Sequence, residues 1–224
     1  MVRLSPSLMC ANYLCFEKDI KDLDRAQVDL YHIDIMDGHF VPNLSLNFDM
    51  IKNLKKATNT PMDVHLMVDN PESYIQLLDN VSPEYASFHI ETLNHPIRFI
   101  KELKSRNIKV GAAISPSTSL GTLEYILKDL DYVVVMTVEP GYAGQKFIPA
   151  MVDKIAKLSA MRNSQNKDLL IEVDGNISEV TGKQCIEAGA DILVLGTASI
   201  FKEGKDLYTS VIEFKNKIYG FSVK

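Results

Sequence analysis

Apolar, β-rich runs alternate with helix-patterned stretches about eight times along this chain, and few folds accommodate that rhythm. The runs are LSPSLM (4–9), LYHIDIM (30–36), MDVHLM (62–67), YASFHI (85–90), IKVGAAI (108–114), YVVVM (132–136), LLIEV (169–173) and ILVLG (192–196). Between them, FEKDIKDLDRAQ, PESYIQLLDN, HPIRFIKELKSR, SLGTLEYILKDL, AMVDKIAKLSAMR and ISEVTGKQCIEAG have helical periodicity. Near-continuous Val, Ile and Leu suit parallel strands covered on both faces. Eight βα units in 224 residues predict a closed (β/α)₈ TIM barrel. The rival, a doubly wound sheet, wants G-x-G-x-x-G after its first strand, and SPSLMCAN has none. No linker or charge block divides residues 1–224, so one domain is expected, with NSQNKD (163–168) as a surface loop.

Charge and cysteine content narrow the partners. The net charge is −5, from 24 basic and 29 acidic side chains interleaved as in KDIKDLDR. Without a basic stripe, no nucleic-acid partner is expected, although backbone amides can still hold a phosphate. Cys10, Cys15 and Cys185 are odd in number and form no C-x-x-C pair, as expected of free thiols in a reducing compartment. The start MVRLSPSLMC lacks signal architecture, and no apolar run reaches the ~18 residues of a membrane span. A cytoplasmic protein without a membrane partner is expected.

Polar residues on otherwise apolar strands mark the candidate site. Side chains alternate on a strand, so His32, Asp34 and Met36 of HIDIM share one face. DVHLM sets His65 and Met67 on one face, and LLIEVDG ends on Asp174. A buried carboxylate needs a partner. Two His and two Asp at strand ends converge on the mouth where barrel enzymes work. Their donors suit one divalent cation: Zn²⁺ first, with Mn²⁺, Fe²⁺ or Co²⁺ as alternatives. An unmetallated polar network is the competing reading.

Glycine turns follow the last three strand runs. They are MTVEPGYAGQ, with Gly141 and Gly144 flanking Tyr142 and Ala143; DGN, with Gly175 and Asn176; and LGTAS, with Gly196 and Thr197. Barrels bind phosphate at this corner, on exposed backbone N–H groups. Two aspartates, a cation and a phosphate clamp together imply proton abstraction beside a ketone. One carboxylate takes the proton from one face and the other returns one to the opposite face, inverting the carbon through an enediolate.

HIDIMDGHFVPN, DVHLMV, FHIET, MTVEPGYAGQKFIP and EVDGNI resemble the ribulose-phosphate 3-epimerase family, from Ser5 to about Phe201. The resemblance implies a ribulose-phosphate-binding barrel and an isomerase of carbohydrate metabolism acting on a small sugar phosphate. It implies His32, Asp34, His65 and Asp174 as metal ligands, with Asp34 as proton acceptor in one direction and Asp174 as donor. Ser7 would contact substrate, and Met36, Met67 and Met136, joined by Met9, would line the enediolate. Gly141, Tyr142, Ala143, Gly144, Gly175, Asn176, Gly196 and Thr197 match the phosphate and substrate turns, and a dimer or hexamer is implied.

The chain departs from the family pattern where GYAG replaces GFGG, DGN replaces DGG and GTASIF replaces GSA(I/V)F. Ala143 and Asn176 must then adopt the backbone those glycines allowed. These departures resemble the D-allulose-6-phosphate 3-epimerase branch, so conversion of D-allulose 6-phosphate to D-fructose 6-phosphate is the expectation. The alternative is the pentose phosphate pathway reaction, D-ribulose 5-phosphate to D-xylulose 5-phosphate. A Schiff-base aldolase is disfavoured because Met136 occupies the inward strand end a lysine would need. A non-catalytic binder is disfavoured because all four ligand types are present. His39 reads as a loop residue, His89 as structural rather than substrate-contacting, and His95 as exposed.

Overall fold

The computed structural model describes residues 2–220. Its strands are β1 (Arg3–Pro6), β2 (Tyr31–Asp37), β3 (Leu44–Ser45), β4 (Met62–Met67), β5 (Tyr85–His89), β6 (Lys109–Ile114), β7 (Tyr132–Met136), β8 (Leu170–Asp174) and β9 (Ile192–Leu195). They form one sheet in the order β1-β9-β8-β7-β6-β5-β4-β2-β3. Every pairing is parallel except the short β2–β3 ladder. The sheet closes between β1 and β2. There a parallel bridge joins Ser7 to His32, and Asp29 and Leu30 donate backbone N–H to Leu4 O at 3.0 and 3.3 Å. With β3 an antiparallel appendage, this is the expected (β/α)₈ TIM barrel.

Around it lie α1 (Phe16–Arg25), α2 (Phe48–Ala57), α3 (Ile75–Val81), α4 (Pro96–Lys104), α5 (Ala150–Gln165), α6 (Glu179–Ala188) and α7 (Leu207–Tyr219). Local chemistry sets their ends. Asn47 caps α2 by accepting from Met50 N–H, and Ser178 and Thr181 form a capping box on α6. The same α6 stops at Gly189, whose φ of 111° favours a residue without Cβ. No helix among the described residues is long and apolar enough to cross a membrane.

Three expectations need correction. SLGTLEYILKDL forms two 3₁₀ turns, Leu120–Leu123 and Leu127–Asp129, rather than an α-helix. Gly121 is a poor helix former, and hydroxyls compete for its first turn: Ser119 accepts from Gly121 N–H, and Thr122 donates to Ser119 O. LSPSLM is strand only to Pro6, after which Leu8–Cys10 turns as a 3₁₀ helix. NSQNKD is helical through Gln165, because Arg162 anchors the last turn of α5 to Asp191 and to Leu169 O.

The period-two pattern sorts the strands. Ile33 and Ile35 of β2 pack outward in the main core with Leu4, Val64, Leu66 and Phe88. Inside the barrel, Leu30, Tyr85, Tyr132, Val134 and Ile192 form an apolar plug. Gly111 fits there because an added Cβ would lie 2.5 Å from the Tyr132 ring. Above the plug the interior turns polar.

Candidate active site

β2 and β4 run in register with His32 beside Asp63, Asp34 beside His65 and Met36 beside Met67. The inward face therefore carries stacked rows of polar residues below two methionines. His32, Asp34 and His65 are buried. The two histidines sit lower in the barrel than a strand-end position, while Asp174 does end β8. His32 Nε2 lies 3.2 Å from His65 Nδ1 and 3.3 Å from Asp34 Oδ1. His65 Nδ1 lies 3.5 Å from Asp34 Oδ1. Asp174 Oδ2 is 3.8 Å from His32 Nε2 and 3.9 Å from His65 Nδ1.

Two imidazole nitrogens and two carboxylates thus face one point, their donor atoms all within 4.8 Å of one another. Bonds of about 2.0–2.1 Å to a tetrahedral cation require donor separations of roughly 3.3 Å. The observed spacings bracket that value, so the four residues fit a single divalent ion.

Electrostatics separates the two acids. Burial works to raise Asp34, but the His32 and His65 imidazoles outweigh it and hold its carboxyl well below the usual range. Ser7 Oγ also donates to Asp34 Oδ2 at 2.6 Å. Burial pushes Asp174 upward against the pull of His32, and the nearby charge of Asp34 adds to the rise, to about 7. Burial disfavours charge on His32, yet Asp34, Asp63 and Glu172 together raise its pKa well above the ordinary imidazole value.

Beneath this set lies a second buried group. His32 Nδ1 donates to Asp63 Oδ2 at 2.8 Å, and Glu172 Oε1 is 3.0 Å from the same nitrogen. Tyr132 OH donates to Asp63 Oδ1 at 2.5 Å. Burial, with the neighbouring Asp63 charge, raises Glu172 to about 8. His65 Nε2 meets His89 Nε2 at 3.0 Å, and His89 Nδ1 meets Glu91 Oε2 at 3.2 Å. Asp63, Glu172 and Tyr132 were missing from the sequence-based set. The period-two rule that pairs His65 with Met67 also puts Asp63 on that face, and Glu172 shares a face with Asp174.

Over the metal-site geometry opens a cleft. Ser7, Asp34, Met36, Met67, Met136 and Asp174 line it. So do Gly141, Tyr142, Ala143, Gly144, Gly175, Asn176, Gly196 and Thr197. Met9 and Cys10 join them, while His32 and His65 are fully buried and do not line it. Positive φ falls on Gly141 (120°), Gly144 (81°), Gly175 (125°) and Asn176 (50°). Ala143 is not in that region, so replacing a glycine there demands no left-handed strain, and Asn176 takes the conformation Asn tolerates best. Tyr142 OH donates to Pro42 O at 2.7 Å, and Asn43 Nδ2 donates to Gly141 O at 2.8 Å, tying HFVPN to the GYAG turn. His39 lies exposed in its loop with Nδ1 3.0 Å from Asp37 O, and His95 is exposed at the start of α4.

Residues 3–201 match the model of the Ribulose-phosphate 3 epimerase family. The chain belongs to that family. Ribulose-phosphate 3-epimerase from Methanocaldococcus jannaschii is 40% identical over 97% of this chain and 94% of its own. The enzyme of the same name from Bacillus subtilis is 39% identical over 88% and 92%. Among solved structures, a tryptophan synthase α-subunit from Pyrococcus furiosus superposes with TM-score 0.70 at 13% identity over 99% of this chain and all (100%) of that one. At that identity the likeness speaks for the barrel alone. As a family member the chain is an isomerase, a sugar-phosphate 3-epimerase, and its substrate is a small sugar phosphate. Residues of this epimerase that fit a cation, two acids whose pKa values shift in opposite directions and a glycine-lined cleft lie together at one end of the barrel.

Proposed function

We propose that this epimerase inverts C3 of D-ribulose 5-phosphate to give D-xylulose 5-phosphate, with one divalent cation, Zn²⁺ first, held by His32, Asp34, His65 and Asp174. The observation behind it is the pair Asp34 and Asp174. They stand on β2 and β8, separated by β1 and β9 around the barrel, with their pKa values driven apart. Two carboxyls so tuned divide into base and acid.

A bound cation would withdraw electron density from the substrate carbonyl and so acidify the adjacent C3–H. Asp34, ionised and oriented by Ser7, takes that proton from one face, and the C–H electron pair passes into the enediolate. Asp174, on the other side of the site, gives a proton to the opposite face of C3. Asp34 then loses its proton to solvent and Asp174 regains one. Met36, Met67 and Met136 cover the reacting carbon with apolar surface, which limits loss of the enediolate to water. Backbone N–H groups of the turns at Gly144, Gly175, Asn176, Gly196 and Thr197 receive the phosphate.

Ribulose 5-phosphate takes precedence over allulose 6-phosphate for two reasons. The named relatives at 40% and 39% identity are ribulose-phosphate 3-epimerases. The departures in the turns, which favour the hexulose from sequence alone, leave Ala143 outside the positive-φ region and so argue little for a displaced phosphate clamp. The test is kcat/KM for both sugars with each metal supplied in turn. At least a tenfold preference for ribulose 5-phosphate is expected, and a tenfold preference for allulose 6-phosphate would reverse the assignment.

A further inference from the structure

We propose that Glu91 and His89 are positioning residues that decide which nitrogen of His65 presents a lone pair to the cation site. The inference rests on the reading of His65 as a ligand.

His65 Nδ1 faces His32, Asp34 and Asp174, and its Nε2 faces His89 Nε2 at 3.0 Å. Two imidazole nitrogens that close form a hydrogen bond only when one bears hydrogen and the other does not. The choice is made one residue further out. Glu91 Oε2 lies 3.2 Å from His89 Nδ1. A carboxylate only accepts, so His89 carries its hydrogen on Nδ1. Neutral His89 then has its lone pair on Nε2 and accepts from His65 Nε2–H. This leaves His65 Nδ1 bare, aimed at the other three donors. With the opposite tautomer at His89, a hydrogen on His65 Nδ1 would point into the cation site and block it.

The relay is built to hold this direction. Glu91 Oε1 is occupied by Ser115 N–H at 2.8 Å and by the Thr118 hydroxyl, which leaves Oε2 for His89. His89 is buried, so no bulk water competes for its nitrogens. Its ring lies nearly coplanar with that of His65, planes at 22° and centroids 5.1 Å apart, the end-to-end arrangement the Nε2–Nε2 hydrogen bond needs, and Phe40 packs against it at 4.6 Å. His32 has its outer carboxylate, Asp63, in direct contact. For His65 the corresponding carboxylate acts through a second imidazole. Outer hydrogen-bond partners of metal-binding histidines change metal affinity by about 10–100-fold when removed.

The experiment measures Zn²⁺ affinity by competition with a chromophoric chelator for the parent protein, Glu91→Ala and Glu91→Gln, alongside ¹⁵N NMR of the Zn²⁺-loaded parent. Glu91→Ala is expected to weaken Zn²⁺ binding by about 10–100-fold. Glu91→Gln, whose single amide oxygen is claimed by Ser115 N–H and the Thr118 hydroxyl and whose NH2 then faces His89 Nδ1, reverses the relay and is expected to weaken Zn²⁺ binding to a similar extent. The parent spectrum is expected to show hydrogen on His65 Nε2 and none on Nδ1. Unchanged affinity in Glu91→Ala, or hydrogen on His65 Nδ1 in the loaded parent, would overturn the relay. Should Glu91→Ala not fold, the parent spectrum decides alone. A parent protein that binds no Zn²⁺ at all would overturn the ligand reading itself, and the relay with it.

Discussion

Ser7 and Asp34 meet across the seam of the barrel: the Ser7 hydroxyl donates to Asp34 Oδ2 at 2.6 Å, one step from the bridge that joins Ser7 to His32. A hydrogen bond to a carboxylate favours its charged form. Ser7→Ala is therefore expected to raise the Asp34 pKa and to lower kcat/KM by about tenfold, the change produced by about 1.4 kcal/mol. The acidic limb of the pH–rate profile should shift upward. An unmoved limb would leave Ser7 with substrate contact alone.

The two aspartates should be separable by isotope. Asp34→Asn and Asp174→Asn, assayed with metal supplied, are each expected to lose about 10²–10⁴-fold in epimerisation. Asp174→Asn keeps the base on the other face. In D₂O it should still exchange the C3 hydrogen of ribulose 5-phosphate without inversion, whereas Asp34→Asn should not. Equal exchange in both variants would contradict the assignment of faces.

Removing metal should give a characteristic pH dependence. In the metal-free folded state Asp174 and Glu172 are raised to about 7 and about 8, and His32 lies well above its ordinary value. Between about pH 6.5 and 8 the folded chain thus binds protons that the unfolded chain has already released. Stability is then lost as pH rises through those folded-state values. Urea unfolding of chelator-treated protein should show a lower midpoint at pH 8 than at pH 6.5. Zn²⁺ binding at pH 6.5 should release about one proton or more, visible by calorimetry in two buffers of different ionisation enthalpy.

The plug beneath the site makes a packing prediction. A Cβ on Gly111 would meet the Tyr132 ring at 2.5 to 2.7 Å. Gly111→Ala is expected to destabilise by about 1–3 kcal/mol through overpacking. In a Tyr132→Leu background, where the ring end is gone, most of that cost should vanish. An undiminished cost there would place the strain elsewhere.

Much of this organisation was readable beforehand because it follows from period and residue chemistry. Strand alternation located the barrel, and the common face of His32, Asp34 and Met36 located the site. The interior connections were harder. His89 gave no sign in sequence of standing behind His65, because that depends on the register between β4 and β5, which a linear pattern does not encode. Asp63 was visible on the inward face, but its bond to Tyr132 spans 69 residues of chain. The segment after β6 misled because its apolar spacing is helical while Gly121 and its hydroxyl neighbours favour tighter turns.

The division of the cation-site residues along the chain has a consequence for how the protein can be cut or rearranged. The first half, through β5, supplies both imidazoles and one acid, and the other acid arrives only with β8. Neither half-barrel alone can supply both acids. Assembly of the complete set must therefore wait until the late strands dock against the early ones, so that competence appears together with ring closure rather than accumulating strand by strand.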